Sequence, residues 1–180
     1  MSARQYRFIA DQILSLKQPR VFVIGAGHDT ELWFHCSKEN LVLVENDRKW
    51  IPPVACQFVR PRYQGKVGVW LDHITVPKKI ARPWDIVLVD APTGYSTHCI
   101  GRQEPIAWAA QFGKTVFVHN YGRPWERRLC DHYLGSPAKI IPFKSNSHDR
   151  LLAVFKLTSK PLSLPTCAGK SSATASRSGS

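Results

Sequence analysis

Two glycines, a histidine and an acid follow one another at the end of the first strand-like run of this 180-residue chain. In the stretch VIGAGHD, Gly25 and Gly27 precede His28 and Asp29. Glycines after a buried strand let the backbone turn sharply and approach a ligand closely. Glu45 ends the next strand-like run about twenty residues later, where an acid can accept hydrogen bonds from both hydroxyls of a ribose. These five residues predict a site for a nucleoside.

The turn departs from the G-x-G-x-x-G pattern of dinucleotide-binding proteins. Thr30 occupies the position of the third glycine. His28 and Asp29 also add polarity where a pyrophosphate is bound by bare N–H groups and positive potential. An acid at this turn suits a cationic ligand better, and a nucleoside joined to a cation describes S-adenosylmethionine. We therefore expect this methyl donor as the cofactor, in preference to NAD.

Asp90 and His119 each end an apolar run, in the stretches WDIVLVDAP and KTVFVHN. Both should reach the carboxyl edge of a sheet and meet Gly25, Gly27 and Glu45 in one pocket. Methyl transfer to an alcohol, which the family resemblance described below implies, requires the acceptor oxygen to be held in line and its proton to be removed. We predict that Asp90 is the general base or orients the acceptor, and that His119 shares this role. The alternatives are a turn aspartate and a core histidine.

The same resemblance implies an acidic sugar as the acceptor, and several residues could bind one. Arg102 suits a uronate, because a guanidinium can pair with a carboxylate through two hydrogen bonds. Tyr95, Trp108 and Trp125 could supply an apolar platform for a pyranose ring, and the basic stretch 60–66 could extend an anionic groove. The alternatives are a solvated charge at a helix start for Arg102, core positions for the aromatic residues, and a solvated surface for the basic stretch.

The elements that position these residues are buried strands alternating with helices. The strand-like runs lack polar alternation, as expected of strands covered on both faces. Helices are predicted over about 3–16, after Asp29 or Thr30 as N-cap, and in the stretches GRQEPIAWAAQF and RPWERRLCDHYLG. Residues 52–76 could be short strands or loop. The pattern predicts a doubly wound, Rossmann-like α/β sheet with ligands at the strand ends.

Two further strand candidates, AKIIPFK and RLLAVFKL, flank the turn-prone stretch SNSHD and predict a C-terminal antiparallel hairpin. The methyltransferase version of this sheet carries such a hairpin. Residues 159–180 are rich in Ser, Pro, Gly and Ala, and are predicted to form a flexible tail after a domain over 1–158. The tail should be dispensable for stability.

The composition bounds the partners of the chain. A net charge of +12 and a pI near 9.8 predict attraction to an anionic partner: nucleic acid, an acidic membrane face or an acidic glycan. The five cysteines lack CxxC or CxC spacing, which argues against a zinc site or a disulfide framework, and no metal site is predicted. The sequence has no apolar run of transmembrane length and no signal-peptide core at its start. We therefore expect a soluble protein, cytoplasmic by default.

Four stretches together resemble the plant polysaccharide-biosynthesis family, whose best-understood members are glucuronoxylan 4-O-methyltransferases. They are GAGHDTELW, LVENDRKWI, PWDIVLVDAPTGY with GR shortly after, and VFVHN followed by WE. The resemblance covers roughly residues 6–157. It implies a class I methyltransferase fold and transfer of a methyl group from S-adenosylmethionine to a sugar hydroxyl, typically O-4 of glucuronic acid on xylan. It also places Asp90 and His119 in the site without ranking them.

The chain departs from this family in three respects. The family usually has Met where this chain has Gln103, and Asp where it has Asn120. Plant members also carry an N-terminal transmembrane anchor in the Golgi, so a truncated plant-type member would work in the Golgi lumen. Two alternatives therefore stay open. DAPTGY faintly resembles the D-P-P-Y motif of nucleic-acid methyltransferases that methylate amino groups, and the altered positions would also suit a basic scaffold without activity.

Overall fold

The computed structural model describes residues 1–51, 53–143 and 148–158. Its strands are β1 (Val21–Ile24), β2 (Leu41–Val44), β3 (Gln57–Val59), β4 (Trp84–Val89), β5 (Gly113–His119), β6 (Lys139–Ile141) and β7 (Leu152–Lys156). They form a seven-stranded sheet in the order β3-β2-β1-β4-β5-β7-β6. Neighbouring strands are parallel from β3 through β5, whereas β7 is antiparallel to both β5 and β6.

Helices cover both faces of this sheet. They are α1 (Ala3–Leu14), α2 (Thr30–Ser37), α3 (Gln103–Phe112) and α4 (Pro124–Tyr133), with short 3₁₀ turns at Lys38–Asn40 and Arg48–Trp50. Ile9 of α1 and Trp33 of α2 pack in one apolar layer with Val23 of β1. Trp108 of α3 and Leu129 of α4 belong to the layer on the other face. Because both faces of the sheet are covered, the strands are apolar throughout their length.

Helix α1 is fixed at its first turn by two side chains. Ser2 Oγ accepts a hydrogen bond from Gln5 N, and Gln5 Oε1 accepts one from Ser2 N, which forms a capping box. Gln5 Nε2 also donates to the carbonyl oxygens of Ile141 and Arg150 at 3.0 and 2.9 Å. The spacing of the apolar residues in this stretch predicts a buried helical face formed by Tyr6, Ile9, Ala10, Ile13 and Leu14. Leu14 is exposed, so its place on that face is wrong, and the polar Gln5 is buried.

The doubly wound α/β sheet and its C-terminal antiparallel hairpin, both predicted from the sequence, are confirmed. The chain runs outward from β1 to β3 and returns on the other side of β1 to form β4, so a crevice opens at the carboxyl ends of β1 and β4. In the described part of the stretch 52–76, β3 is followed by a bridge between Lys66 and Ile100. The tail predicted over 159–180, with Cys167, and part of the turn SNSHD lie outside the described residues.

The long connection between β3 and β4 is held by the start of α3. Glu104 Oε2 accepts hydrogen bonds from the backbone N–H groups of Gln64 and Gly65 at 2.9 and 3.0 Å. Val67 N donates to the carbonyl oxygen of Cys99 at 3.2 Å. Residues 99–101, directly before α3, are therefore bonded to residues 65–67 of this connection.

Candidate active site

A cleft of about 650 Å³ opens at the carboxyl ends of β1, β2 and β4. The structure brings Gly25, Gly27, Glu45 and Asp90 together in it, as expected from their positions at strand ends. The complete lining consists of residues 25–29, 45–47, 49–50, 90–93 and 98–100. Four carboxylates and one lysine are among these residues, so the cleft is acidic although the chain carries a net charge of +12.

Gly25 is required by the backbone itself. Its φ is +112°, a conformation that side chains disfavour, and a Cβ at this position would meet the Cβ of Ala91 at 2.8 Å. The turns after β1 and β4 are thereby packed directly against each other. Gly27 differs, since its N–H donates to Thr30 Oγ1 at 3.0 Å. Thr30 thus closes the turn where a dinucleotide-binding protein would have its third glycine.

Glu45 is almost fully buried at the end of β2. Its Oε2 accepts a hydrogen bond from Ala26 N at 3.1 Å, and its Oε1 accepts one from Asp47 N at 2.8 Å. These bonds fix the carboxylate beside the glycine turn. Each oxygen retains a lone pair, because a carboxylate offers about four acceptor positions.

His28 and Asp29 form the wall of the cleft beside α2. Asp29 was an N-cap candidate; it lies at the N-cap, but its Oδ2 accepts from Trp33 Nε1 at 3.1 Å and it makes no side-chain cap bond. Burial raises the pKa of Asp29, and the negative charge of Asp90 raises it further. The imidazole of His28 meets the ring of Trp50 edge-on, with centroids 5.6 Å apart. The cleft therefore holds two acids close enough to repel each other.

Asp90 and His119 form a hydrogen-bonded pair where β4 and β5 end. The distance between Asp90 Oδ1 and His119 Nδ1 is 2.6 Å. Burial acts to raise the pKa of Asp90, but the hydrogen bond and charge of His119, with the charge of Arg102, outweigh it and hold that pKa below its ordinary value. The Asp90 side chain is 27% exposed and lines the cleft, whereas the His119 side chain is 10% exposed and lies behind it. His119 Nε2 is buried without a hydrogen-bond partner among the described residues.

No family model matches the chain. Among curated proteins, it is 28% identical to glucuronoxylan 4-O-methyltransferase 1 of Arabidopsis thaliana, over 70% of this chain and 61% of that protein. Glucuronoxylan 4-O-methyltransferases 2 and 3 of the same plant are 26% and 27% identical, again over 70% of this chain and over 59% and 57% of their own lengths. The suspected resemblance to this family is thus confirmed as a distant one. The chain spans about three fifths of the length of these relatives.

Two solved structures share the architecture. A predicted RNA methyltransferase from Pyrococcus horikoshii superposes with a TM-score of 0.53 at 14% identity, over 86% of this chain and 82% of that one. A TehB-like S-adenosylmethionine-dependent methyltransferase from Corynebacterium glutamicum gives a TM-score of 0.51 at 14% identity, over 87% and 96% of the two chains. This is the class I methyltransferase fold. At this level of identity, the likeness shows the fold alone.

Within this class I fold, Arg102 lies beneath the cleft rather than in it. It is 1% exposed, and its guanidinium donates to backbone carbonyl oxygens at the ends of β4 and β5. The sequence predicts that Arg102 pairs with an acceptor carboxylate. This prediction is wrong, because the structure does not present Arg102 to the cleft. Arg123 lies nearer the cleft: its side chain is 24% exposed and donates to the carbonyl oxygen of Thr93, which lines the cleft.

The predicted sugar platform is not assembled in the cleft either. Tyr95 is 73% exposed and lies outside the cleft lining. Trp108 is part of the core, where its Nε1 donates to the carbonyl oxygen of Thr75 at 3.0 Å. Trp125 is buried against Trp70, with ring centroids 5.2 Å apart. Trp108 and Trp125 thus follow the alternative that the sequence leaves open, a place in the core.

The two positions that depart from the plant family have structural partners here. Gln103 Oε1 accepts from Leu71 N at 2.8 Å, and its Nε2 donates to Tyr133 Oη at 2.9 Å. Asn120 has a φ of +62° and accepts a weak hydrogen bond from Arg102 through its Oδ1 at 3.4 Å. Both side chains therefore form hydrogen bonds with residues that surround the site.

Sequence reasoning did not single out several residues near the cleft. Asp47 and Lys49 follow Glu45 closely in the chain, and their nearness to the predicted ribose acid is the signal that could have found them. His98 and Cys99 also line the cleft, in the part of the loop before α3 that lies between the DAPTGY and GR motifs. Tyr6 of α1 is close enough that burial, with the charges of Asp29 and Asp90, raises its pKa to about 12.

The described residues contain no group of three or more His, Cys, Asp or Glu side chains placed to hold a metal ion. None of the helices in the part of the chain that the structure describes has the length and apolar character needed to cross a membrane.

Proposed function

We propose that this chain binds S-adenosylmethionine in the cleft and is an O-methyltransferase that acts on a sugar hydroxyl of an acidic, glucuronic-acid-containing glycan. The observation that carries the proposal is the meeting of Glu45, Asp90 and the glycine turn in one acidic cleft of a class I methyltransferase fold. An acidic cleft in a basic chain favours a cationic ligand inside it and an anionic partner outside it. The distant similarity to glucuronoxylan 4-O-methyltransferases supports the choice of acceptor.

The residues of the cleft fit the methyl donor. Glu45 is held by two backbone N–H groups and keeps acceptor positions free, as required for the two hydroxyls of a ribose. Gly27 N–H is occupied by Thr30, so the turn is not built to bind a pyrophosphate. Asp29 and Asp90 supply negative potential for a cationic group. When bound, the cofactor supplies an electrophilic methyl group.

Asp90 is the group best placed to act on an acceptor hydroxyl. Its depressed pKa keeps the carboxylate ionised at neutral pH, and the part that is exposed faces the cleft. The carboxylate would accept the proton of an acceptor hydroxyl held beside it. The tautomer of His119 that donates Nδ1–H to Asp90 Oδ1 orients this carboxylate from behind. His119 is therefore proposed as the supporting member of the pair.

Cations at the mouth of the cleft suit a uronate. Lys49 lines the cleft, and Arg60 Nε donates to the carbonyl oxygen of Asn46 in the same wall at 3.2 Å. Arg123 lies on the side of Thr93. A carboxylate-bearing sugar entering between these walls would meet positive charge before it reaches Asp90. We propose Arg123, rather than the buried Arg102, as the arginine that pairs with the acceptor.

The test combines donor binding with product analysis. Isothermal titration should show binding of S-adenosylmethionine by the wild-type chain and weaker binding by Glu45→Ala, by about 1–3 kcal/mol, as expected for loss of hydrogen bonds to a charged group. Glu39→Ala, a change at an exposed acid outside the cleft, is the matched control. Mass spectrometry should then find a methylated product among glucuronic-acid-containing oligosaccharides.

Three outcomes would redirect the proposal. Methylation of RNA in place of the oligosaccharides would favour a nucleic-acid methyltransferase. No donor binding would favour a basic scaffold without activity. Unchanged donor affinity in Glu45→Ala would show that Glu45 is a strand-end acid without a role in binding.

A further inference from the structure

Arg102 is the first residue before α3, yet its side chain runs inward beneath the cleft. Its Nε donates to the carbonyl oxygen of Pro92 at 2.7 Å. Its Nη1 donates to the carbonyl oxygen of His119 at 2.6 Å, and its Nη2 donates to the carbonyl oxygen of Asp90 at 2.8 Å. A single guanidinium thus binds the backbones of both residues that form the proposed acid–base pair.

These contacts join two strand ends that lie beyond the last pair of the β4–β5 ladder. The parallel pairing of β4 with β5 runs from Trp84 with Gly113 to Val89 with Val118, and it stops one residue short of Asp90 and His119. His119 is still paired with Leu152 of β7, and Asp90 N donates to the carbonyl oxygen of Ile24 at 2.9 Å, but the two strand ends are no longer paired with each other. The planar fork of an arginine can supply several donors at fixed angles, which the compact ammonium of a lysine cannot.

A second buried charge compensates the guanidinium. Glu126 of α4 is completely buried, with its Oε1 3.9 Å from Arg102 Nε and 3.7 Å from Arg123 Nη1. A Cβ on Gly94 would meet the same oxygen at 2.7 Å, so the glycine leaves room for this carboxylate. Neither carboxylate oxygen has a hydrogen-bond partner among the described residues. The hydrogen bonds of Arg102 go to the strand ends, while Glu126 balances its charge.

We propose that Arg102 is a positioning residue, which sets the distance and orientation between Asp90 and His119 by clamping the carbonyl groups of both. This inference deepens the proposed function and rests on it for the catalytic consequence. The physical reason is the geometry of the pair. A hydrogen bond of 2.6 Å between two side chains tolerates little displacement. Each of the two side chains belongs to a residue whose carbonyl group accepts a hydrogen bond from Arg102.

The test uses Arg102→Lys and the charge-balanced double variant Arg102→Met with Glu126→Gln. Arg128→Lys is the matched control, since Arg128 is an exposed arginine on α4. The direct readout is the NMR signal of the imidazole Nδ1 proton of His119, assigned by its disappearance in His119→Gln. Wild type and the control should show this signal, and both Arg102 variants should lose it while their circular dichroism spectra remain those of the wild type.

Kinetics give the second readout. A displacement near 1 Å in a reacting group can cost about 10²-fold in rate, so turnover of both Arg102 variants should fall by about that factor. The dissociation constant of S-adenosylmethionine should change less than about threefold, because Glu45 and the glycine turn are not contacted by Arg102. An effect on KM alone, without loss of kcat, would contradict a positioning role.

The inference is overturned if Arg102→Lys keeps both the Nδ1 signal and its turnover. It is also overturned if neither Arg102 variant folds, since Arg102 would then be a general structural residue rather than a specific clamp. Failure of the proposed function looks different: the wild type itself would bind no methyl donor, while the His119 signal would still report whether Arg102 holds the pair.

Discussion

At the scale of single residues, Asp90 and His119 are separated by their exposure to the cleft. Asp90 faces it, and His119 is behind Asp90. Asp90→Asn keeps the shape but removes the charge that attracts the proton, so turnover should fall by about 10²–10⁴-fold, the usual contribution of general-base catalysis. His119→Ala should give a smaller loss, because it removes support only. Steady-state kinetics on purified variants measure both, and donor affinity by titration should change much less in either.

The opposite ranking would reverse this assignment. If Asp90→Asn kept near-normal turnover while His119→Ala was inactive, the histidine would be the base and Asp90 a structural residue. Asp72→Asn provides the control for a general loss of negative charge, since Asp72 is an exposed acid outside the cleft.

Gly25 and Gly27 offer a matched pair of substitutions in one turn. Gly25→Ala forces a side chain into a φ of +112° and against Ala91, so it should lower the free energy of unfolding by about 1–3 kcal/mol. Gly27→Ala places its Cβ 3.3 Å from Asp29 Oδ1 and should stay within about 0.5 kcal/mol of the wild type. Urea denaturation measures both values. Equal stabilities of the two variants would show that the packing against Ala91 is not needed.

Residue types at strand ends could be predicted to meet, whereas the direction of a side chain could not. Glu45 and Asp90 end apolar runs, and parallel strands bring such ends to one edge. Arg102 also lies near that edge, but the sequence cannot show the three carbonyl groups to which its guanidinium donates. Burial of this arginine is decided by those carbonyls and by Glu126, which comes 24 residues later in the chain.

At the scale of elements, a carboxylate at the start of β4 connects the amino ends of three strands, at the end of the sheet opposite the cleft. Asp85 Oδ2 accepts from Arg20 N at 2.9 Å, and its Oδ1 accepts from Lys114 Nζ at 2.8 Å. Partial burial acts to raise the pKa of Asp85, but the bonds from Lys114 and Arg20 and their charges hold it below its ordinary value. One side chain thus connects the beginnings of β1, β4 and β5.

Asp85→Asn should therefore lower stability in a pH-dependent way. A carboxyl whose folded pKa is depressed stabilises fully above its unfolded pKa, near about 3.9, and this contribution is lost as the pH falls through the folded value. At neutral pH we expect the variant to be less stable by about 1 kcal/mol, since its partners are partly exposed. Urea denaturation from neutral pH to about pH 3 should show the difference closing only at the acid end. A difference independent of pH would exclude the ionic contribution.

The elements themselves were largely predictable, because strands covered on both faces are apolar throughout and stand out in the sequence. The connection between β3 and β4 was not predictable. It is ordered by contacts from a distant element, as when Glu104 binds the backbone of Gln64 and Gly65. The local pattern of apolar and polar residues cannot predict contacts between residues so far apart in the chain.

At the scale of the whole molecule, the charge of the cleft is opposite in sign to the net charge of the chain. The chain has a net charge of +12, yet the cleft is lined by four carboxylates and one lysine. Under the proposed function, the net positive charge would attract an anionic polymer over a distance, and the acidic cleft would select a cationic ligand at contact. The composition of the sequence predicts the net positive charge. The acidic cleft could not be predicted in the same way, because it depends on acids that follow β1, β2 and β4 meeting at one edge of the sheet.

This difference in charge predicts different salt dependences for the two ligands. Raising the ionic strength from about 0.05 to about 0.3 M shortens the screening length and weakens exposed charge pairs most. The KM for a glucuronic-acid-containing oligosaccharide should then rise by about two- to fivefold, the effect of losing one or two exposed ion pairs. The same oligosaccharide with its carboxyl group reduced to an alcohol should show almost no change.

The dissociation constant of S-adenosylmethionine should change less than the KM of the acidic sugar, because Glu45 is buried and Asp90 largely so. Parallel changes for the acidic and the reduced sugar would show that the positive surface does not recognise the acceptor's carboxylate, and would leave the charge without a role in acceptor binding.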